Sequence, residues 1–248
     1  MIHIKTLEEI QIMREGGKIL SKLLKELEKL IQPGISSYEL DRFAYEYILS
    51  NGARPSFLNY NGFPASLCIS INEVLIHGIP KKDIIIKDKD VVSIDAGVYY
   101  KGYHTDAART FIVGKVDKTI QKLVEITEKS FYEGIKFAKE GNRLSDISSA
   151  IEKTIIKAGF FVVKEYVGHG IGKRLHEEPS IPNYGKPGNG PILKRGMVFA
   201  IEPMVLQQSS RVIIRSDGWS VSSTNGLATA HYENTIVVND NEPEILTI

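Results

Sequence analysis

Asp95 and Glu202 each end an apolar run of one pattern, Val91-Val92-Ser93-Ile94-Asp95 and Val198-Phe199-Ala200-Ile201-Glu202. A carboxylate stands where an apolar strand should continue. The offset between these acids also links Gly34 to Gly141 and Gly52 to Gly159, glycines that bracket an amphipathic stretch. The chain therefore reads as two related halves, about 1–113 and 114–248, each aiming an acid inward. Burying ionised carboxylates beside one another is too costly unless a cation shares the site, so the chemistry first suggested is that of a metal.

Further residues join the set. Gly97 to Gly102 reads as a hairpin tip, and a turn at Tyr100-Lys101 places Asp95 directly opposite Asp106. Like charges so placed repel, and Val92, Ile94, Phe111 and Ile112 around them indicate a buried sheet rather than two solvated acids on an open face. Glu233 interrupts the apolar strand Ala230–Val238. His169 lies in Tyr166-Val167-Gly168-His169-Gly170-Ile171-Gly172, where three glycines let backbone and ligand approach closely. A lone histidine there is more often a satisfied core residue, but four acids in need of neutralisation favour a ligand.

Four carboxylates and one imidazole are too oxygen-rich for a structural zinc site. Two divalent ions bridged by carboxylates fit better, with manganese, iron(II) and cobalt all suited to the donor set. Such pairs lower the pKa of a bridging water and stabilise an anionic tetrahedral intermediate, which implies hydrolysis of a carbonyl or phosphoryl compound. His77 in His77-Gly78-Ile79-Pro80 and His176 in His176-Glu177-Glu178-Pro179 occur in matching phrases, one per half. Read as functional rather than as loop histidines, they hold a substrate amide and steady an oxyanion while Glu202 takes a proton from the water. His3 has no such context, and His104 and His231 lie near proposed ligands with their roles open.

These side chains need elements to position them. Thr6-Leu7-Glu8-Glu9 has the spacing of a capping box, and the apolar periodicity after it predicts a helix to about Ile31. Pro33-Gly34 stops that helix, and Ser36-Ser37-Tyr38-Glu39 caps another that ends near Asn51-Gly52. The second half repeats the order, with helices over about 118–138 and 144–158. Strands are predicted at Ser66–Ile71, Val91–Val98, His104–Val113, Phe160–Val167, Met197–Val205, Val212–Arg215 and Thr229–Val238, with a surface loop from Pro179 to Pro191. The architecture expected is α+β, a curved and mainly antiparallel sheet with paired helices on its convex face and the site in the concave one.

The composition excludes several classes. Lys plus Arg number 31 against 30 Asp plus Glu, so no basic field favours nucleic acid or anionic lipid. No apolar run approaches the ~20 residues that cross a bilayer. The single cysteine, Cys68, rules out an internal disulfide, and the N-terminus shows no basic-apolar leader, which together point to the cytoplasm.

The phrase Gly168-His169-Gly170-Ile171-Gly172, then His176 and Ile181-Pro182-Asn183-Tyr184, closely resembles the signature of type I methionine aminopeptidases. Ile69–Glu73, His77–Pro80, Ser93–Gly97, Ala200–Met204 and Asp217–Trp219 also resemble family phrases in family order, so the resemblance covers nearly the whole chain. It implies the pita-bread fold as a single catalytic domain. It also implies five ligands to two metal ions, Asp95, Asp106, His169, Glu202 and Glu233, with Asp106 and Glu233 bridging. His77 and His176 would contact the substrate, Glu202 would double as general base, and Tyr60, Phe63, Cys68, His77 and Trp219 would form a methionine pocket. The implied reaction is removal of the initiator methionine from nascent polypeptide N-termini whose second residue is small, which leaves transient contact with the ribosome open. Phe57, Phe63 and Leu175 around the pocket, and Ala107 beside a ligand, depart from commoner family versions.

The start of the chain resembles the short bacterial form, and the short stretch from His176 to Glu202 leaves no room for the helical insertion of type II enzymes. X-Pro aminopeptidases and prolidases are similar in fold and ligands, but usually carry a large N-terminal domain. A non-catalytic binding relative would have lost ligands, and a purely structural domain would leave the four acids without a reason.

Overall fold

Four helices carry the buried apolar faces, and each starts where its cap demands. The computed structural model describes residues 1–248. Helix α1 spans Leu7–Leu30, opened by a capping box in which Thr6 Oγ1 accepts the Glu9 N–H and Glu9 accepts the Thr6 N–H. Helix α2, Ser37–Ser50, repeats that device with Ser36 and Glu39. Helix α3, Lys118–Ile135, is capped by Asp117, and α4, Leu144–Lys157, has the Arg143 N–H donated to Asp146. Gly34, Gly52, Gly141 and Gly159 all have positive φ, so the glycine pairs related by the sequence offset share one backbone need.

The strands are β1 (Arg54–Pro55), β2 (Leu67–Ile71), β3 (Val74–Ile76), β4 (Val91–Tyr100), β5 (Tyr103–Ile112), β6 (Phe161–Val162), β7 (Gly168–Gly170) and β8 (Glu177–Ile181). They continue as β9 (Val198–Ile201), β10 (Met204–Leu206), β11 (Val212–Ile214), β12 (Val221–Ser223), β13 (Thr229–His231), β14 (Glu233–Val237) and β15 (Glu244–Ile245). The main sheet runs β1-β4-β5-β14-β9-β7-β8, with β2 beside β4 and β15 beside β14. Its pairings are antiparallel.

The two helix pairs cover separate parts of this sheet. Leu20, Leu23, Leu27, Leu40 and Ile48 of α1 and α2 pack with Val92, Ile94, Ala96 and Val98 of β4. Leu123, Phe131, Ile147 and Ile151 of α3 and α4 pack with Phe199, Ile201 and Ile236. Alternation along a strand decides the rest: the even-numbered residues of β4 face the helices, so Ser93, Asp95 and Gly97 face the other way. No helix is long and apolar enough to cross a membrane.

Several strand expectations are corrected. The predicted strand over 197–205 divides at Glu202-Pro203, because proline cannot donate to a ladder, and that over 229–238 divides at Tyr232. Only Phe161–Val162 of the predicted strand over 160–167 is extended into a ladder, and β8 enters the segment read as a loop from Pro179. The β4–β5 turn is Lys101-Gly102, both with positive φ, which pairs Tyr100 with Tyr103.

Candidate metal centre

That turn shifts the register by two positions from the expected one. Asp95 lies opposite Ala108 and Asp106 opposite Gly97, so the two acids are diagonal neighbours rather than direct partners. A shift of two preserves the face, and both carboxylates still point away from α1 and α2. Pairing continues sideways: Cys68 opposes Asp95, and Glu233 opposes Ala108. Cys68, Asp95, Ala108 and Glu233 thus form one cross-strand row on the face away from the helices. The backbone of Asp106 is pinned to β14, donating its N–H to Thr235 Oγ1 at 2.8 Å and accepting the Thr235 hydroxyl at 2.9 Å. Arg109 ties the same strands, donating to the Glu233 carbonyl at 2.6 Å and to Asn234 Oδ1 at 2.7 Å.

His169 enters from β7. Its Nδ1–H donates to the Gly170 carbonyl at 2.8 Å, which turns Nε2 into the site, 3.7 Å from Glu202 Oε1. The glycines beside it serve backbone packing: a Cβ on Gly168 would lie 2.5 Å from the Ala200 carbonyl, and one on Gly170 2.2 Å from that of Glu178. Close approach is therefore of strand to strand, where the sequence had suggested approach of a ligand.

Asp106 and Glu233 are buried, and Glu202 keeps only 14% of its side-chain exposure. Burial raises the carboxyls of Asp95 and Glu202 above the ordinary range, Glu202 to about 8. It raises Asp106 and Glu233 as well, and the neighbouring acids push them further. Asp95 Oδ1, Asp106 Oδ1, Glu233 Oε1 and His231 Nε2 are buried without a hydrogen-bond partner. Ligand atoms of Asp106, His169 and Glu233 lie within 4.8 Å of one another, and so do those of Glu202, His231 and Glu233. Orphaned acceptors gathered at such distances fit divalent cations, which would satisfy them and permit ionisation.

A cavity of about 210 Å³ opens onto these groups. Asp95, Asp106, His169, Glu202, Glu233, His77, His176, Tyr60, Phe63, Cys68 and Trp219 all line it, so the structure brings together every residue that the sequence assigned to metal, substrate or methionine pocket. Phe63 and Trp219 meet edge to face at 5.2 Å, and Tyr60 Oη lies 2.8 Å from His176 Nδ1. His77 has φ of 58°, an uncommon conformation for a non-glycine residue, with its ring against the edge of Tyr166. Burial keeps His77 and His169 neutral, lowering them to about 4 and about 3, and lowers His176 too. Phe57 and Leu175 also line the cavity, as does Asn61, which the sequence reading missed. Its signal was the Asn59-Tyr60-Asn61-Gly62 turn, in which both asparagines have positive φ. His104 instead bonds Ser56 at 2.9 Å, away from the cavity. A larger cavity, about 380 Å³, lies by Arg109, Tyr132 and Tyr232, and none of the four acids lines it.

The model of metallopeptidase family M24 matches residues 11–240. The chain belongs to this family. Among M24 relatives, the chain is similar to the methionine aminopeptidase of Clostridium perfringens, 52% identical over 100% of this chain and 99% of the relative. It is 43% identical to the methionine aminopeptidase of Escherichia coli K12, over 100% of this chain and 94% of the relative. The crystal structure of a methionine aminopeptidase from Thermotoga maritima superposes with a TM-score of 0.98 at 42% identity, covering 100% and 99% of the two chains. The prolidase of Pyrococcus furiosus superposes at 0.80 with 26% identity, covering 99% of this chain but 65% of its own. The pita-bread fold of the M24 family is therefore the fold of this chain, and M24 membership makes it a divalent-metal hydrolase.

Proposed function

We propose that the protein is a methionyl aminopeptidase, hydrolysing the first peptide bond of polypeptides that begin with methionine and a small second residue. The observation that carries this reading is one cavity in which an apolar end, Phe63, Cys68 and Trp219, adjoins the carboxylate cluster. Similarity to methionine aminopeptidases over the full chain supports it over the X-Pro peptidases. Retention of the full acid set argues against a non-catalytic binding relative.

Asp95, Asp106, His169, Glu202 and Glu233 would hold two divalent ions, manganese, iron(II) or cobalt. When bound, such ions polarise a carbonyl and acidify a water near neutral pH. The chain's own groups do the rest. The methionine thioether rests on Phe63, Cys68, Tyr60 and Trp219, a soft lining that suits an unbranched side chain. His77 and His176 are neutral, so each offers a single N–H. Where Tyr60 donates to His176 Nδ1, the Nε2–H is left to face the substrate carbonyl and stabilise the developing oxyanion. His77 holds the substrate amide. Glu202 takes a proton from the attacking water and passes it to the leaving amine.

The substrates would be N-termini of nascent chains, which places the protein in the cytoplasm. The test is a peptide panel with manganese- or cobalt-loaded protein. Methionine is released from Met-Ala and Met-Gly peptides and hardly from Met-Leu or Met-Lys; cleavage of X-Pro peptides in their place selects the prolidase-like reading.

A further inference from the structure

His231 is a buried histidine to which neither the sequence nor the proposed mechanism gives a part. It ends β13, and its backbone is held on both sides: the N–H donates to Thr110 Oγ1 at 3.0 Å and the carbonyl accepts that hydroxyl at 2.8 Å. Pairing opposite Met204 in the β10–β13 ladder fixes that backbone further. The residue is 1% exposed and its Nε2 has no hydrogen-bond partner. A buried polar group left unpaired forfeits the hydrogen bonds it makes to water in the unfolded chain, so its persistence needs a reason.

The surroundings of Nε2 supply one. It lies 3.7 Å from Glu202 Oε2 and 3.8 Å from Glu233 Oε2. Those separations are too long for hydrogen bonds. They suit donors that share an ion, since two ligands each about 2.0–2.2 Å from one ion stand at most roughly 4.4 Å apart. Glu202 is placed between two imidazoles, with Oε1 3.7 Å from His169 Nε2 and Oε2 at the same distance from His231 Nε2. Glu233 belongs to both donor groups, with Asp106 and His169 in one and with Glu202 and His231 in the other. His231 does not line the substrate cavity, which sets it apart from His77 and His176.

We propose that His231 Nε2 is a sixth protein donor to the metal centre, acting with Glu202 and Glu233 so that the centre carries two imidazoles. This rests on the dinuclear reading above and deepens it. An imidazole nitrogen with no hydrogen-bond partner keeps the lone pair that a metal takes up.

The experiment is proton NMR of the cobalt(II)-loaded protein, together with cobalt titration by calorimetry, on the parent and on His231→Gln. Glutamine keeps a hydrogen-bonding side chain but is a poor cobalt donor. The parent should show two hyperfine-shifted imidazole N–H signals, and His231→Gln one. The variant should bind one equivalent of cobalt at least tenfold more weakly. A parent with a single shifted N–H signal overturns the proposal without recourse to any variant, so a folding failure in His231→Gln leaves it testable. Unchanged signals and unchanged affinity in the variant overturn it equally. A parent that binds no cobalt refutes the ligand set of the proposed function itself, which separates the two failures.

Discussion

Asp95 and Glu233 flank Ala108 in a single cross-strand row, β4 to β5 to β14, with all three side chains on the face away from the helix pairs. The methyl group between them leaves the space that a cation needs. Ala108→Leu fills that space. Overpacking should cost about 1–3 kcal/mol of stability, while metal analysis should show the bound ions lost. A variant that retains full metal content would contradict the placement of the site in this row.

Glu202→Gln should keep the fold and lose most turnover, on the order of 10²–10⁴-fold in kcat, because the amide cannot take a proton. Thermal melting and steady-state kinetics on Met-Ala-Ser check both halves of the statement. Near-normal turnover would remove Glu202 from the role of base.

Tyr60→Phe removes the partner of His176 Nδ1. The imidazole then loses its fixed tautomer, and kcat should fall roughly tenfold, the worth of about one hydrogen bond. His176→Ala should cost more, about 10²–10³. If Tyr60→Phe changes KM alone, the tyrosine serves the methionine pocket and does not orient the histidine.

Without metal, stability should fall as pH rises through the neutral range. Burial raises the folded-state carboxyls of Asp95, to about 7, and of Glu202, to about 8, above their unfolded values. The unfolded chain is already ionised there, so folding must take up protons and weakens as pH climbs. His77 and His169 are shifted down, and their opposite contribution is lost only as pH falls below the ordinary imidazole value of about 6.5. Between about pH 6.5 and 8 the carboxyls therefore decide the sign. Melting curves of chelator-treated protein should drop across that window, and manganese should restore them by binding the folded state alone. A flat profile without metal would mean that the acids are solvated.

Gly170→Ala forces a Cβ to within 2.2 Å of the Glu178 carbonyl, a backbone atom with no rotamer to yield. Destabilisation should reach or exceed the upper end of the ~1–3 kcal/mol usual for overpacking, with His169 displaced. Chemical denaturation and metal titration would show both effects, and a neutral substitution would reject the β7–β8 packing described.

Local rules were enough for much of this protein. Capping boxes at Thr6 and Ser36, helical periodicity and the positive-φ glycines set all four helices to within a few residues, because those signals act within a turn or two of chain. Acids interrupting apolar strands marked Asp95, Asp106, Glu202 and Glu233, since burial of charge is costly wherever the strand is placed. Register was another matter. Lys101-Gly102 rather than Tyr100-Lys101 makes the turn, and only the paired strands show that Asp106 faces Gly97. The face survived that error because side chains alternate with a period of two. Tertiary structure alone decided that residues as distant in sequence as Cys68 and Glu233 share one row, and that Asn61 reaches the cavity. It alone turned His231 toward Glu202, because contacts between separate strands depend on how whole sheets close, which no local pattern encodes.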